Sequence, residues 1–233
     1  DDRQDAYRIL ISTVEEPTRV SEDQLILDGE YFDRVQTIAF LMTGNALVEL
    51  SGGTATTMKT EDPAGWVNGV DMETYLRFLY ILSPENKQIY KYERLAGRYG
   101  RPVQYNVNGD LAGAIDMAID GFVYVLKEGG EIVKLFRGEA VPFKIARAPD
   151  GLLDNATKMV KIPEKNFYVL DPEEKRVIVF SDGGENGESS YIKQYVLEGE
   201  QIGDLKDLYV DPEETRMYVM DEKRLYVVDI ATR

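Results

Sequence analysis

Val123-Tyr124-Val125-Leu126 decides the fold, because the chain keeps returning to it. Leu79-Tyr80-Ile81-Leu82, Phe167-Tyr168-Val169-Leu170 and Met217-Tyr218-Val219-Met220 are variants of the same aromatic and β-branched strand, with tyrosines 44, 44 and 50 residues apart. A fainter copy, Ala39-Phe40-Leu41-Met42, lies 40 residues before the first of them. Short strands recurring with a period in the forties are the mark of a β-propeller, in which each repeat is one small antiparallel sheet, or blade.

Working outward, each copy is strand b of a repeated grammar. A polar turn follows it: Ser83-Pro84-Glu85-Asn86-Lys87, Lys127-Glu128-Gly129-Gly130, Asp171-Pro172-Glu173-Glu174-Lys175 or Asp221-Glu222-Lys223. Proline presets φ and glycine permits positive φ, so these segments turn for a physical reason. Strand c comes next, as Ile89–Tyr92, Ile132–Phe136, Val177–Phe180 and Leu225–Val228, making a b–c hairpin. Ahead of each hairpin lies an inner strand a: Val70–Met72, Ile115–Ile119, Met159–Ile162 and Leu208–Val210. Outer strands d are weaker, at Thr54–Lys59, Val103–Val107, Val141–Ile145 and Tyr191–Leu197. The apolar period is two throughout, with no sustained helical period.

The expected fold is therefore a single all-β propeller domain spanning residues 1–233. Its five blades of four antiparallel strands centre on residues 31–62, 68–108, 113–147, 156–199 and 205–230. The last blade stops after strand c. Because an open edge invites aggregation, Arg8–Val14 is expected to close the ring by pairing with Leu225–Ile230. Leu25-Ile26-Leu27 is a further strand candidate, which leaves six blades open as an alternative.

Composition limits the chemistry. The 233 residues carry 27 basic and 42 acidic side chains, a net charge of −15. That charge opposes nucleic acid or an anionic membrane as partner and suits cationic ligands or basic proteins. With no histidine and no cysteine, imidazole bases, Ser-His-Asp triads, thiolate nucleophiles, disulfides and His- or Cys-ligated metals are excluded. Carboxylates, lysine, tyrosine and an oxygen-ligated metal such as calcium remain. No apolar run reaches the roughly 18–20 residues that cross a bilayer, which argues against direct membrane insertion. The chain starts Asp1-Asp2-Arg3, which reads as an excised extracytoplasmic part of something longer.

The segment Ala114-Ile115-Asp116-Met117-Ala118-Ile119-Asp120-Gly121-Phe122-Val123-Tyr124-Val125-Leu126, continued by Ile132-Val133-Lys134-Leu135-Phe136, resembles an NHL repeat. It is also similar to the related YVTN-type repeats. Phe167–Phe180 and Leu208–Val228 resemble the same pattern, and the likeness runs from Val70 onward. The aspartate that often follows the Tyr-Val strand in these families is replaced by Ser83 and Lys127. Packing residues define such repeats, so the resemblance implies a fold, shared by protein-interaction platforms, sensor ectodomains and some lactonase-like or lyase-like enzymes.

Alignment of the inner strands sets Asp33, Asp71, Asp116 and Asp207 before the apolar part of strand a, with Lys158 at the remaining position. Carboxylates crowded at a channel mouth raise one another's pKa and attract a hard cation, calcium above all. The alternative is that each aspartate hydrogen-bonds the turn entering its strand. Trp66, the only tryptophan, either stacks on a ligand from an inter-blade loop or plugs a blade junction. Asn68, Asn108, Asp110, Asp154 and Asn155 sit in the inter-blade loops and are the candidate ligand-binding residues. The Gly-rich stretch Asp182–Ser190 is acidic like a calcium loop, but it lacks that loop's ligand spacing and fits a c–d hairpin connection. The expected function is a non-catalytic scaffold that binds a protein or peptide, or a small ligand, on its loop face. A carboxylate- or calcium-dependent glycosidase or lactonase is the alternative, and its two facing carboxylates are not identifiable.

Overall fold

In the computed structural model, residues 24–58, 65–184, 186–199 and 202–230 are described. The chain forms two compact units, Asp1–Asn106 and Val107–Arg233.

The first unit holds two sheets. β1 (Ile26–Phe32), β2 (Thr37–Met42), β3 (Ala46–Ser51) and β4 (Thr54–Thr57) pair in chain order. β5 (Asp71–Tyr75), β6 (Phe78–Ser83) and β7 (Gln88–Leu95) form the second, and both β8 (Arg98–Tyr99) and β9 (Val103–Gln104) pair with β7. Inner strands β1 and β5 are neighbours. Between the sheets lies a core of Ala39, Leu41 and Leu47 against Met72, Leu79, Ile81 and Tyr92.

The second unit holds three sheets. β10 (Ala114–Ile119), β11 (Val123–Lys127), β12 (Ile132–Phe136) and β13 (Glu139–Val141) pair in order. β14 (Lys144–Ala146) runs parallel to Glu188–Ser190 of a later strand and joins that sheet rather than its own neighbour. β15 (Lys158–Lys161), β16 (Phe167–Asp171), β17 (Arg176–Phe180) and β18 (Glu188–Val196) follow, then β19 (Leu205–Val210), β20 (Arg216–Asp221) and β21 (Leu225–Asp229). Inner strands β10, β15 and β19 lie side by side. Tyr124 and Leu126 of one blade pack on Phe167 and Val169 of the next. Tyr168 and Leu170 pack in turn on Met217 and Val219. The alternation that named strand b is thus the alternation between its two blade neighbours.

Every sheet has the a–b–c order of a propeller blade, and the five b–c hairpins stand where the repeats predict. Three expectations need correction. The further strand candidate Leu25-Ile26-Leu27 overlaps Ile26–Phe32, which is strand a of the first blade, and Asp33–Val35 is a 3-10 turn after it. Val141–Ile145 is not one strand: Glu139–Val141 ends one sheet and Lys144–Ala146 edges the next. In the first blade the repeat is shifted by one residue. Leu41 pairs with Asp28, as Leu82 pairs with Asp71, Leu126 with Asp116, Leu170 with Lys158 and Met220 with Asp207. Ala39, not Phe40, therefore occupies the tyrosine position. The last sheet has three strands among the described residues, and the proposed closing strand Arg8–Val14 lies outside them.

Candidate functional site

Two repeated polar positions organise the blade ends. The first is the strand-a position itself: Asp28, Asp71, Asp116, Lys158 and Asp207. In β1, β10 and β19 a bulge precedes the aspartate, and such a bulge re-aims a side chain. Asp28 Oδ2 accepts the backbone N–H of Met72 at 2.8 Å, across to the neighbouring inner strand. Asp116 Oδ2 accepts the N–H of Met159 at 2.5 Å in the same way, and its Oδ1 pairs with Lys158 Nζ at 2.8 Å. Asp207 is exposed and accepts the N–H of its own neighbour Leu208 at 2.8 Å. Asp28 and Asp116 thus clasp one inner strand to the next, whereas the Asp207 bond stays within its own strand. For these two residues the clasp is a role that neither reading from the sequence included. Asp33 is exposed in the 3-10 turn and is not a member of the set, whereas Asp28 is. Among the described residues no group of three or more carboxylates gathers as a metal site.

The second position directly follows strand b, where the repeat pattern expects aspartate. Asp171 and Asp221 keep the residue; Ser83 and Lys127 replace it, and all four are buried. Each ties the loop entering its blade to the b–c hairpin. Ser83 Oγ donates to Val67 O at 2.6 Å. Lys127 Nζ reaches Asp110 at 3.3 Å and Glu131 at 2.8 Å, and the Glu131 bond foremost raises its pKa. Asp171 holds Arg176 at 2.8 Å, whose Nη2 donates to Leu152 O. Asp221 accepts the N–H groups of Gly203, Lys223 and Arg224 and the Tyr226 hydroxyl. Burial pushes the Asp221 carboxyl up, but these donors outweigh it and draw the pKa down to about 2. In the first blade Met42 takes the position, and Thr43 Oγ1 next to it accepts the N–H of Leu25 at 3.0 Å.

These latches fix the loops of the second unit as one continuous surface. The turn after Lys127 packs on the next loop so closely that a Cβ on Gly130, whose φ is +84°, would sit 2.4 Å from Leu153 Cβ. Only glycine fits there. Asp154 and Asn155 follow Leu153 and are exposed, as are Asn108 and Asp110. Asn108 Oδ1 accepts the N–H of Ala140 at 2.7 Å, and Asp110 Oδ1 accepts that of Ala112 at 3.1 Å. A shallow recess of about 400 Å³ adjoins, lined by Thr157, Pro172, Glu173, Asp204, Leu205 and Lys206. Exposed Asp110, Glu128, Glu131, Asp154, Glu173 and Asp204 make this surface acidic.

The first unit treats its candidates differently. Asn68, with φ +47°, is exposed and donates from Nδ2 to Glu85 at 2.5 Å. Trp66 is only 3% exposed, and its ring meets Tyr92 edge-on at 5.6 Å inside the core. It plugs the junction of the two blades and offers no face for stacking. The Asp182–Ser190 connection is pinned: Lys134 Nζ donates to Gly184 O at 2.5 Å, and Ser189 Oγ to Ser181 O at 2.7 Å. Lys161, fully buried at its side chain, pairs with Asp120 at 3.0 Å and Asp182 at 3.7 Å.

No family model and no curated protein matches the chain. Solved structures do. A structure of U3-55K aligns with a TM-score of 0.61 at 12% identity, covering 92% of this chain and 64% of that one. YCF48 bound to D1 peptide aligns at 0.58 with 10% identity, covering 94% and 69%. Streptogramin B lyase aligns at 0.51 with 10% identity, covering 84% and 66%. The chain thus spans about two thirds of the length of each of these proteins. At such identity the likeness establishes architecture, which hosts enzymes and binding proteins alike. The fold is an all-β, five-bladed β-propeller.

Proposed function

We propose that the chain is a non-catalytic binding module, the extracytoplasmic part of a larger protein, whose loop face in the second unit takes a basic peptide or protein segment. The observation that carries this reading is the latched loop surface from Asp110 through Glu131 and Asp154 to Asp204. Loops held this firmly can present side chains without first paying an ordering cost. Their exposed carboxylates complement lysine and arginine and steer their approach. Asn108 and Asn155 add amide donors and acceptors at the rim. The solved complex of YCF48 with D1 peptide supports peptide recognition on this architecture in general.

The enzyme alternative finds support in the fold of streptogramin B lyase, at an identity that carries no site. The test is fluorescence anisotropy with labelled 12-residue peptides, one rich in lysine and arginine and one rich in glutamate. The basic peptide should bind, weaken steeply as salt rises, and lose affinity at least fivefold to the double substitution Asp110→Asn/Asp154→Asn. Equal affinity for the acidic peptide would overturn the reading. So would turnover in a lactonase, lyase and glycosidase screen that Asp110→Asn or Asp154→Asn abolishes.

A further inference from the structure

The sequence contains three Asn-Gly pairs, Asn68-Gly69, Asn108-Gly109 and Asn186-Gly187. Glycine after asparagine lets its backbone nitrogen approach the asparagine side chain, because no Cβ stands in the way. All three asparagines are exposed, but their surroundings differ.

Asn68 and Gly69 are fixed against that approach. Asn68 has a φ of +47°, its backbone N–H donates to Asn45 Oδ1 at 3.2 Å, and its Nδ2 donates to Glu85 at 2.5 Å. Gly69 is pressed into the blade junction, where an added Cβ would meet Ile81 at 3.0 Å and Trp66 at 3.2 Å. In the third pair the nitrogen that would react is engaged, since the Gly187 N–H donates to Gly184 O at 3.3 Å. Gly187 is buried with a φ of +68°, and a Cβ there would run into Pro142 O.

Asn108 is placed for reaction instead. The Val107 N–H donates to Gly138 O at 2.8 Å, which sets the loop against the turn leading into β13. There Asn108 Oδ1 accepts the Ala140 N–H at 2.7 Å. Of the three asparagines it is the one whose Oδ1 receives a donor among the described residues. Attack on an amide carbon drives negative charge onto its oxygen, and a fixed N–H aimed at that oxygen lowers the barrier.

We propose that Asn108-Gly109 is a self-modifying site that turns a neutral side chain on the loop face into a carboxylate. The Gly109 backbone nitrogen gives its proton to solvent base and attacks Asn108 Cγ, while the carbonyl π pair moves to Oδ1. Collapse of the tetrahedral carbon expels the side-chain nitrogen, which leaves with a proton as ammonia, and closes a five-membered imide. Water then adds to either imide carbonyl and breaks its bond to the Gly109 nitrogen, leaving aspartate or isoaspartate at position 108. The new carboxylate, close to Asp110 in the chain, adds to the acidic surface. Its effect on binding rests on the basic-ligand reading of that surface; the chemistry does not.

The intact protein is incubated at pH 7.4 and at pH 9, and each asparagine is followed over weeks by peptide mass mapping. Asn108 should convert several-fold faster than Asn68 and Asn186, faster at the higher pH, with isoaspartate among its products. Gly109 has no positive φ, so Gly109→Ala keeps the backbone and should slow Asn108 several-fold. β13 is an edge strand, where proline is tolerated. Ala140→Pro, checked for an unchanged circular dichroism spectrum, removes the donor and should slow Asn108 several-fold while the other two keep their rates. Asn68 or Asn186 converting first would overturn the site. An Ala140→Pro rate equal to or above the parent's would show that the bond only restrains the side chain, and would overturn the activation. Asn108→Asp, the product made directly, should bind the basic peptide about twofold tighter at low salt. Mass mapping decides the site whether or not that peptide binds, so the two readings fail separately.

Discussion

Asp221 offers the sharpest test of the latch description. Its carboxylate receives four donors, with Lys223 N–H at 2.7 Å, Arg224 N–H at 2.6 Å and Gly203 N–H at 3.0 Å beside the Tyr226 hydroxyl. Its pKa falls from 3.8 to about 2. By linkage a drop of this size corresponds to about 2.4 kcal/mol. The site lies just beneath the surface, where solvent screens charge, so about 1–2 kcal/mol is the expected contribution. A depressed carboxylate pKa stabilises the fold above the unfolded value near 4. That stabilisation is lost as pH falls from about 4 through about 2. Asp221→Asn keeps the shape but replaces one acceptor with an NH₂ group, leaving the Gly203 N–H without its acceptor. Urea unfolding of both proteins at pH 7, 5, 4, 3 and 2.5 is the assay. The variant should be less stable at pH 7 by about 1–2 kcal/mol, and the gap should narrow as pH falls below 4. A gap that stays constant across the series would refute the charged latch.

Other substitutions probe the remaining polar elements. Glu49 and Arg94 are both buried and paired at 2.7 Å, with the Tyr99 hydroxyl donating to the same carboxylate at 2.6 Å. Glu49→Gln should therefore cost about 3–5 kcal/mol, and the double change Glu49→Leu/Arg94→Met should recover most of it; equal losses in chemical denaturation would contradict this. Asp116→Asn should destabilise by about 2–4 kcal/mol because Lys158 loses its partner and the Met159 clasp loses its charge. Its melting temperature and that of the parent should not respond to calcium, and a calcium-dependent rise confined to the parent would restore the cation site. Trp66 should emit at short wavelength, resist iodide quenching, and stay unchanged when a basic peptide binds. Ready quenching would show that it is not a core plug.

The repeat period and the b–c hairpins are legible because strand b is buried on both faces in β6, β11 and β16, which carry the clearest copies of the aromatic and aliphatic run. The first blade departs from the register of the repeat for a physical reason. Ala39 fills the tyrosine position, and Phe40 beside it faces the other way, so the bulkiest residue marks the wrong register. A one-residue slip exchanges the two faces of a strand; the inner strand Ile26–Phe32 moreover lies ahead of the expected blade 31–62, so its carboxylate is Asp28 and not Asp33. Ser83 and Lys127 looked like departures from the pattern; they perform the same tie with a hydroxyl and an ammonium, which residue identity alone conceals. The split of Val141–Ile145 depends on β18 reaching β14, a parallel pairing with no local signal. Trp66 admits two readings in sequence, and its contact with Tyr92 places it in the core. The Gly130–Leu153 approach was hidden as well, because a glycine in a turn normally signals only backbone freedom.

The loop face itself is tested most directly by hydrogen–deuterium exchange, comparing the free protein with the protein saturated by the basic peptide. Binding there should slow exchange in residues 107–113, 128–131, 150–157 and 203–206, and leave β1 to β7 unchanged. Protection confined to the outer strands, with those four loops exchanging as in the free protein, would contradict the account.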